Sequence, residues 1–197
     1  MSASPNRERV LRAATASFLV DGYRSSVERI ARRAGVAKQT VYSHFPSKDE
    51  LFKEVARDLA KRVLVQLETD SEDVRPALLR FALAYRSRVL CPEGIAMFRT
   101  LVSEIPRFRT LARAIFAGGP GETARGLADF LDKAMSGGRL RKDDPQFAAE
   151  LLLGMLVGHE RIKRVYGVAR FANGSDTRRA TRIIDCFLRM YSIEGRP

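Results

Sequence analysis

The stretch Gly35 to Phe45 reads GVAKQTVYSHF. Lys38, Gln39, Thr40, Tyr42, Ser43 and His44 bring amine, amide, hydroxyl and imidazole groups to a segment whose Val36, Val41 and Phe45 are apolar. At helical spacing Val41 and Phe45 turn to one side, and the polar groups remain on the other. On a helix that enters the major groove of DNA, long donors of this kind read base edges and hydroxyls fix phosphates. A helical hairpin with a solvated face carries the same pattern, so the elements around the segment have to decide.

Those elements are helical. Val10, Leu11, Ala14 and Phe18 share one face, and Gly22 stands where a C-terminal cap belongs. Ser25 and Glu28 have the spacing of a reciprocal capping pair, which predicts a short second helix to about Ala34. A helix-turn-helix needs a small residue at the helix crossing, a glycine able to take positive φ in the turn, and a branched apolar residue packing back from the second helix. Ala31, Gly35 and Val41 meet those three needs, with Val27, Ile30 and Phe45 completing a small core. Ser47 and Glu50 repeat the capping spacing before the stripe Leu51, Phe52, Val55, Leu59 and Val63, a longer helix that ends near Ser71 and bridges two lobes.

Helical periodicity continues through Val74 to Val89, Ile95 to Ile105, Phe108 to Phe116, Leu127 to Ala134, Leu151 to Tyr166 and Ala180 to Tyr191. Pro106, the Gly118–Gly121 run and Ser136-Gly137-Gly138 punctuate it, and Asp144-Pro145 supplies a cap and a first helical residue. No useful length alternates with a period of two. The expected fold is all-α, with about nine or ten helices. An N-terminal three-helix helix-turn-helix domain spans residues 1–47, and a larger helical domain spans 48–197, with the boundary inside the linking helix 48–70.

The 197 residues carry 35 Lys and Arg against 23 Asp and Glu, a net charge of +12. That balance favours a polyanionic partner, and residues 1–47 are the more basic quarter, with eight basic side chains against three acidic. Cys91 and Cys186 lie far apart and belong to no metal or disulfide spacing, so they read as reduced thiols. The Asn6-Arg7-Glu8-Arg9 start does not read as a signal peptide, and the longest apolar run, Leu151 to Val157, is far short of the ~20 residues of a membrane span. A cytoplasmic protein with no membrane contact, no cofactor and no metal is expected. No Ser/His/Asp or Cys/His arrangement is suggested, and the Gly118–Gly121 run lacks the lysine of a phosphate loop, which disfavours an enzyme.

The elements AA..F...G followed by Tyr23, SVERIARRAGV, T-V-Y-x-H-F and SKDELF, all between Arg9 and Leu59, closely resemble the DNA-binding region of the TetR family of transcriptional regulators. The resemblance implies that Lys38 and Gln39 read bases and that Thr40, Tyr42, His44 and Lys48 hold phosphates, with Ser43 as an extra contact. Side-chain chemistry agrees, since Lys donates to guanine and Gln pairs bidentately with adenine. Ala37 departs from the Ser or Thr usual in the family, which removes a helix cap at a cost of roughly 1 kcal/mol.

FRTLVSEIPRFRTLARAIF and the spacing of Gly137 to Pro145 are similar to the C-terminal domain of the family's AefR-type branch. That likeness implies a helical domain that binds a small molecule and dimerises through its last two long helices. Gly154 and Gly158, one turn apart, permit close helix approach, and Ile183, Ile184 and Phe187 give the final helix a wide apolar face. The same features also suit a core within one chain. Met97, Phe98, Leu101, Phe108, Phe116, Phe130, Met155 and His159 are candidates for an apolar pocket, with ordinary core residues as the competing account. The expected function is a repressor that binds a palindromic operator in double-stranded DNA as a homodimer and is released by a small apolar effector. A transcriptional activator or a basic architectural DNA binder without ligand control are the alternatives, with an enzyme as a remote third.

Overall fold

Ten α-helices and two short 3-10 turns account for the regular structure among residues 4–67, 73–104, 109–168 and 176–193, the residues described by this computed structural model. Among these residues there is no strand. The helices are α1 (Pro5–Asp21), α2 (Val27–Ala34), α3 (Lys38–His44), α4 (Lys48–Leu64), α5 (Val74–Leu90), α6 (Pro92–Glu104), α7 (Arg109–Gly118), α8 (Pro120–Ser136), α9 (Pro145–Val165) and α10 (Asp176–Met190). They sort into two compact units: Met1–Leu59 with Pro92–Pro120, and Ala60–Cys91 with Gly121–Pro197.

Several helix starts meet the need of unpaired backbone N–H groups with a nearby oxygen. The Asp144 carboxylate accepts the N–H of Gln146 at 2.9 Å ahead of Pro145, and Ser47 Oγ accepts the N–H of Glu50 at 3.1 Å. The expected Ser25–Glu28 pair is corrected by one residue. Ser25 leaves the 3-10 turn Gly22–Arg24 with its side chain buried, and the extended backbone that a cap requires comes at Ser26. Ser26 Oγ accepts the N–H of Arg29 at 3.2 Å.

The first unit closes around Val10, Phe18, Ile30, Val41 and Leu51, all fully buried. Phe18 meets Phe52 edge-on with ring centroids 4.6 Å apart. Leu111 and Ile115 of α7 are buried in the same core, and Met97 and Leu101 of α6 pack against it. Helices α6 and α7 thus group with the N-terminal helices, and the first break, after Leu59, falls within the linking helix 48–70.

In the second unit, Leu78, Leu127, Leu131, Leu152, Leu156, Ile184 and Phe187 are fully buried. Its charged centre is Arg86 on α5, whose side chain is 1% exposed. The guanidinium donates to Leu156 O, to Glu160 at 2.8 Å and to Asp176 at 2.8 Å. It therefore reaches both sides of a break in α9 at Gly158 (φ 21, ψ −126), and the first residue of α10. A side chain at Gly158 would force that backbone into strain, so the break and the glycine go together. Glu160 also accepts from Arg164 at 2.6 Å and Arg179 at 3.1 Å, while Arg164 donates to Leu90 O at 2.6 Å. Burial works against the Glu160 carboxylate, but the bonds from Arg86 and Arg164 outweigh it and hold its pKa below the usual range. The group's contribution is complete above the ordinary carboxylate pKa and is lost as pH falls through the depressed value.

Replacing Arg86 with Ala removes a buried guanidinium from two carboxylates, of which Glu160 is the more buried. Such losses cost about 3–5 kcal/mol, and the lower end is expected because Glu160 keeps Arg164 and Arg179. Urea titration measures this, and a loss under about 1 kcal/mol shows that the network is solvated.

Candidate nucleic-acid interface

The outward set of the GVAKQTVYSHF segment is presented by α3, a helix of seven residues. It is too short to persist alone, and packing supplies its stability. Val41 is fully buried, and Phe45 just beyond the helix is buried beside it. On the other side Lys38, Gln39, Tyr42 and Ser43 are exposed, and Thr40 and His44 are half-buried. Ser43 Oγ donates to Thr40 O at 2.9 Å.

The turn that delivers α3 depends on Gly35, which takes the left-handed conformation (φ 64, ψ 41). Its N–H donates to Arg32 O at 3.2 Å and the N–H of Val36 to Ala31 O at 3.1 Å, so the last carbonyls of α2 are satisfied. A Cβ on Gly35 would stand 2.7 Å from Arg9 Nη2, which itself donates to Gly35 O at 3.2 Å. Ala37 occupies the cap position of α3 and makes no side-chain bond there.

Two cations of the expected site are already engaged. Lys38 forms an ion pair with Glu28 across the turn, and its amine lies 5.9 Å from the centre of the Tyr42 ring. The bond from Lys38 pulls the Glu28 carboxyl down to about 2, and Glu28 in turn raises the pKa of Lys38. Both groups are therefore charged at neutral pH. Lys48, the first residue of α4, is half-buried with Nζ 4.2 Å above the Tyr23 ring, and this burial lowers its pKa. The Tyr23 hydroxyl donates to the Asp49 carboxylate; burial first, and then Asp49, raise the pKa of Tyr23. Sequence reading missed these partnerships. Glu28 stands ten residues from Lys38, outside any helical repeat, and its spacing from Ser25 points only to a cap. Tyr23 is noted only as an aromatic.

The residues expected to line an apolar pocket are divided between the units. Met97, Phe98, Leu101 and Phe116 belong to the first, where Met97 and Leu101 cover the N-terminal core. Phe116 is 64% exposed. Phe130, Met155 and His159 belong to the second, the first two half-buried and His159 exposed. Phe108 lies outside the described residues.

Of the residues expected at a dimer contact, Ile184 and Phe187 are fully buried in their own unit, where α10 packs on α5. Ile183 is half-buried, and Gly154 and Gly158 are exposed with open space around them. Along the same helix and just beyond it, Phe147 is 55%, Ile162 48% and Tyr166 78% exposed. Cys91 and Cys186 form no disulfide; Cys91 Sγ donates to Arg88 O at 3.4 Å, and Cys186 Sγ accepts from Arg189 at 3.1 Å. Among the described residues no cluster of three or more metal-ligating side chains forms, and no helix is long and apolar enough to cross a membrane.

Comparison with known proteins matches both parts of the chain. Residues 10–55 match the model for bacterial regulatory proteins of the tetR family, and residues 76–193 match that for the AefR-like transcriptional repressor C-terminal domain. The flavonoid-responsive regulator FrrA is 30% identical, with a TM-score of 0.71 over 98% of this chain and 100% of that one. A Mesorhizobium loti MAFF303099 protein assigned to the TetR family is 28% identical, with a TM-score of 0.75 over 95% and 97% of the two chains. YhgD of Bacillus subtilis (strain 168), an uncharacterized HTH-type transcriptional regulator, is 35% identical over 68 residues, which are 34% of this chain and 36% of that protein. The match to YhgD thus spans about a third of that protein's length.

Proposed function

Because the chain belongs to the TetR family of transcriptional regulators and carries an AefR-like C-terminal domain, we propose that it is a repressor that binds a palindromic operator as a homodimer and leaves it when a small apolar effector binds. The observation that carries the DNA-reading half is the outward set Lys38, Gln39, Tyr42 and Ser43 on a helix whose inner Val41 is fully buried. Seven residues make a helix about 10 Å long, which fits a major groove about 12 Å wide. In this reading Lys38 leaves Glu28 to donate to guanine, and Gln39 pairs with adenine. Thr40, Tyr42, Ser43, His44 and Lys48 hold phosphates.

The homodimer rests on the exposed apolar side chains Phe147, Ile162 and Tyr166 of α9 and its end, with the open glycines Gly154 and Gly158 and the half-buried Ile183 of α10. Several large apolar side chains exposed on one chain favour a partner surface. Ligand release rests on relatives: the matching C-terminal model is that of a repressor, and FrrA is described as flavonoid-responsive. Helix α4 runs unbroken from Lys48 to Leu64, giving the second unit a covalent path to a phosphate contact. The effector has only to favour the dimer whose recognition helices no longer match successive major grooves, about 34 Å apart.

Genomic DNA recovered with the protein and sequenced identifies the operator. On it, Gln39→Ala is expected to cost about 1–3 kcal/mol and relax one position per half-site, whereas Lys48→Ala weakens all sequences alike and flattens the salt dependence. Unchanged base preference in the Gln39 variant removes that assignment.

Gly154→Glu tests the dimer, because the open space at Gly154 admits a side chain within one chain, whereas Gly158 would be strained by any residue. Sedimentation should show monomers, and operator binding should collapse. A folded variant that stays dimeric places the contact elsewhere.

Linkage tests the sensor. A planar apolar molecule of the flavonoid kind should bind about 5–150-fold more weakly when operator is present, and should weaken operator binding by the same factor. Calorimetric titration with and without operator measures both, and equal affinities remove the ligand-release reading.

A further inference from the structure

Beside the turn at Gly35 lies a cleft of about 460 Å³ lined by Arg9, Arg12, Arg32 and Arg33. Arg9 and Arg12 stand one helical turn apart on α1, and Arg32 and Arg33 are in the last turn of α2. Nearby on the same helices, Arg7 is matched to Glu54 at 2.9 Å and Arg29 to Asp21 at 3.1 Å. Among the described residues no carboxylate pairs with any of the four around the cleft. Arg9 is braced by its bonds to Gly35 O at 3.2 Å and Asn6 Oδ1 at 3.4 Å; Arg12, Arg32 and Arg33 are exposed. Four like charges converging without a counter-ion repel one another, and an anion seated among them removes that repulsion. The space equals roughly fifteen water molecules, enough for a phosphodiester with its sugar. Guanidinium groups suit such oxygens because they donate in parallel pairs.

Position selects the anion. Gly35 is joined to Lys38 through Val36 and Ala37, at most about 10 Å of chain, so the cleft adjoins the N-terminal end of α3. Lys48 follows the C-terminal end of the same helix. The length of α3, about 10 Å, is close to the distance between the two strands that border a major groove. We propose that the arginine cleft holds the phosphodiester backbone on the wall of the groove opposite the strand held by Lys48, so that α3 is fastened at both ends. This rests on the DNA-binding reading above and adds a second set of phosphate contacts to it, one that no base in the site has to match.

The test uses the full chain and a mixed-sequence DNA duplex about three helical turns long, so that it does not depend on the operator. The triple variant Arg12→Gln, Arg32→Gln, Arg33→Gln should bind about tenfold or more weakly near physiological salt, with the slope of log affinity against log salt reduced by about 1–2, the loss of one or two phosphate contacts. Arg9 is left in place because it braces the turn. Lysine at the same three positions should restore most of the slope, and a matching thermal melt checks the fold. Should the triple variant melt early, Arg33→Gln alone is read by the same slope, with a loss of about half a unit or more expected. A wild-type slope in a folded variant overturns the proposal while leaving DNA binding standing. A chain that binds no duplex at all overturns both. Inorganic pyrophosphate, titrated by calorimetry, separates the remaining source: if the wild type binds it, the variant does not, and the DNA slope is unchanged, the cleft serves a small anion and its assignment to DNA is overturned.

Discussion

Burial of Val41 is the constraint on which the rest of the DNA-facing surface depends. A seven-residue helix with no side-chain cap cannot hold its own shape in water, and α3 does so because Val41 and the following Phe45 are inserted into a core already formed by Val10, Phe18, Ile30 and Leu51. Once those two side chains are fixed, the helix has no rotational freedom about its axis. The polar residues then have one direction available to them. The left-handed turn at Gly35 sets where the helix begins, and Arg9 closes over that turn from α1, so three helices agree on a single placement.

The second unit solves a different problem with a different interaction. Its central helix α9 is broken at Gly158, and a broken helix leaves backbone carbonyls in need of donors. Arg86 answers from the neighbouring helix with a guanidinium that reaches Leu156 O before the break, Glu160 after it and Asp176 at the start of α10. The ion pairs of the first unit, such as Arg7–Glu54 and Arg29–Asp21, lie at its surface, whereas in the second unit a guanidinium is buried. Acid should therefore loosen the second unit through Glu160, whose carboxylate has to be charged to hold Arg86 and Arg164.

Much of this was legible in the sequence because it follows from short repeats. The inward set Val27, Ile30, Ala31, Val41 and Phe45 and the turn glycine are read from helical spacing, and all five side chains are buried. What escaped was decided by contacts between distant segments. Ser25 and Ser26 are adjacent and chemically the same, and only the exit direction of the preceding 3-10 turn tells which one caps α2. Met97 and Leu101 look like any apolar stripe, and their partner core lies in helices far back in the chain. Ile184 and Phe187 share the wide apolar face of α10 with Ile183, and burial against α5 separates them. The pairing of Glu28 with Lys38 crosses a turn, where no periodicity operates.

That pairing gives the exposed lysine an internal counter-ion, with a consequence for how the surface responds to its medium. Ions in solution weaken the attraction between a basic surface and a polyanion. They also loosen the exposed pair between Lys38 and Glu28, which frees the amine. The two effects act in opposite directions on one side chain, so Lys38 loses less of its attraction for a polyanion as salt rises than an unpaired lysine on the same helix would. Glu28 thus buffers the face of α3 against ionic strength.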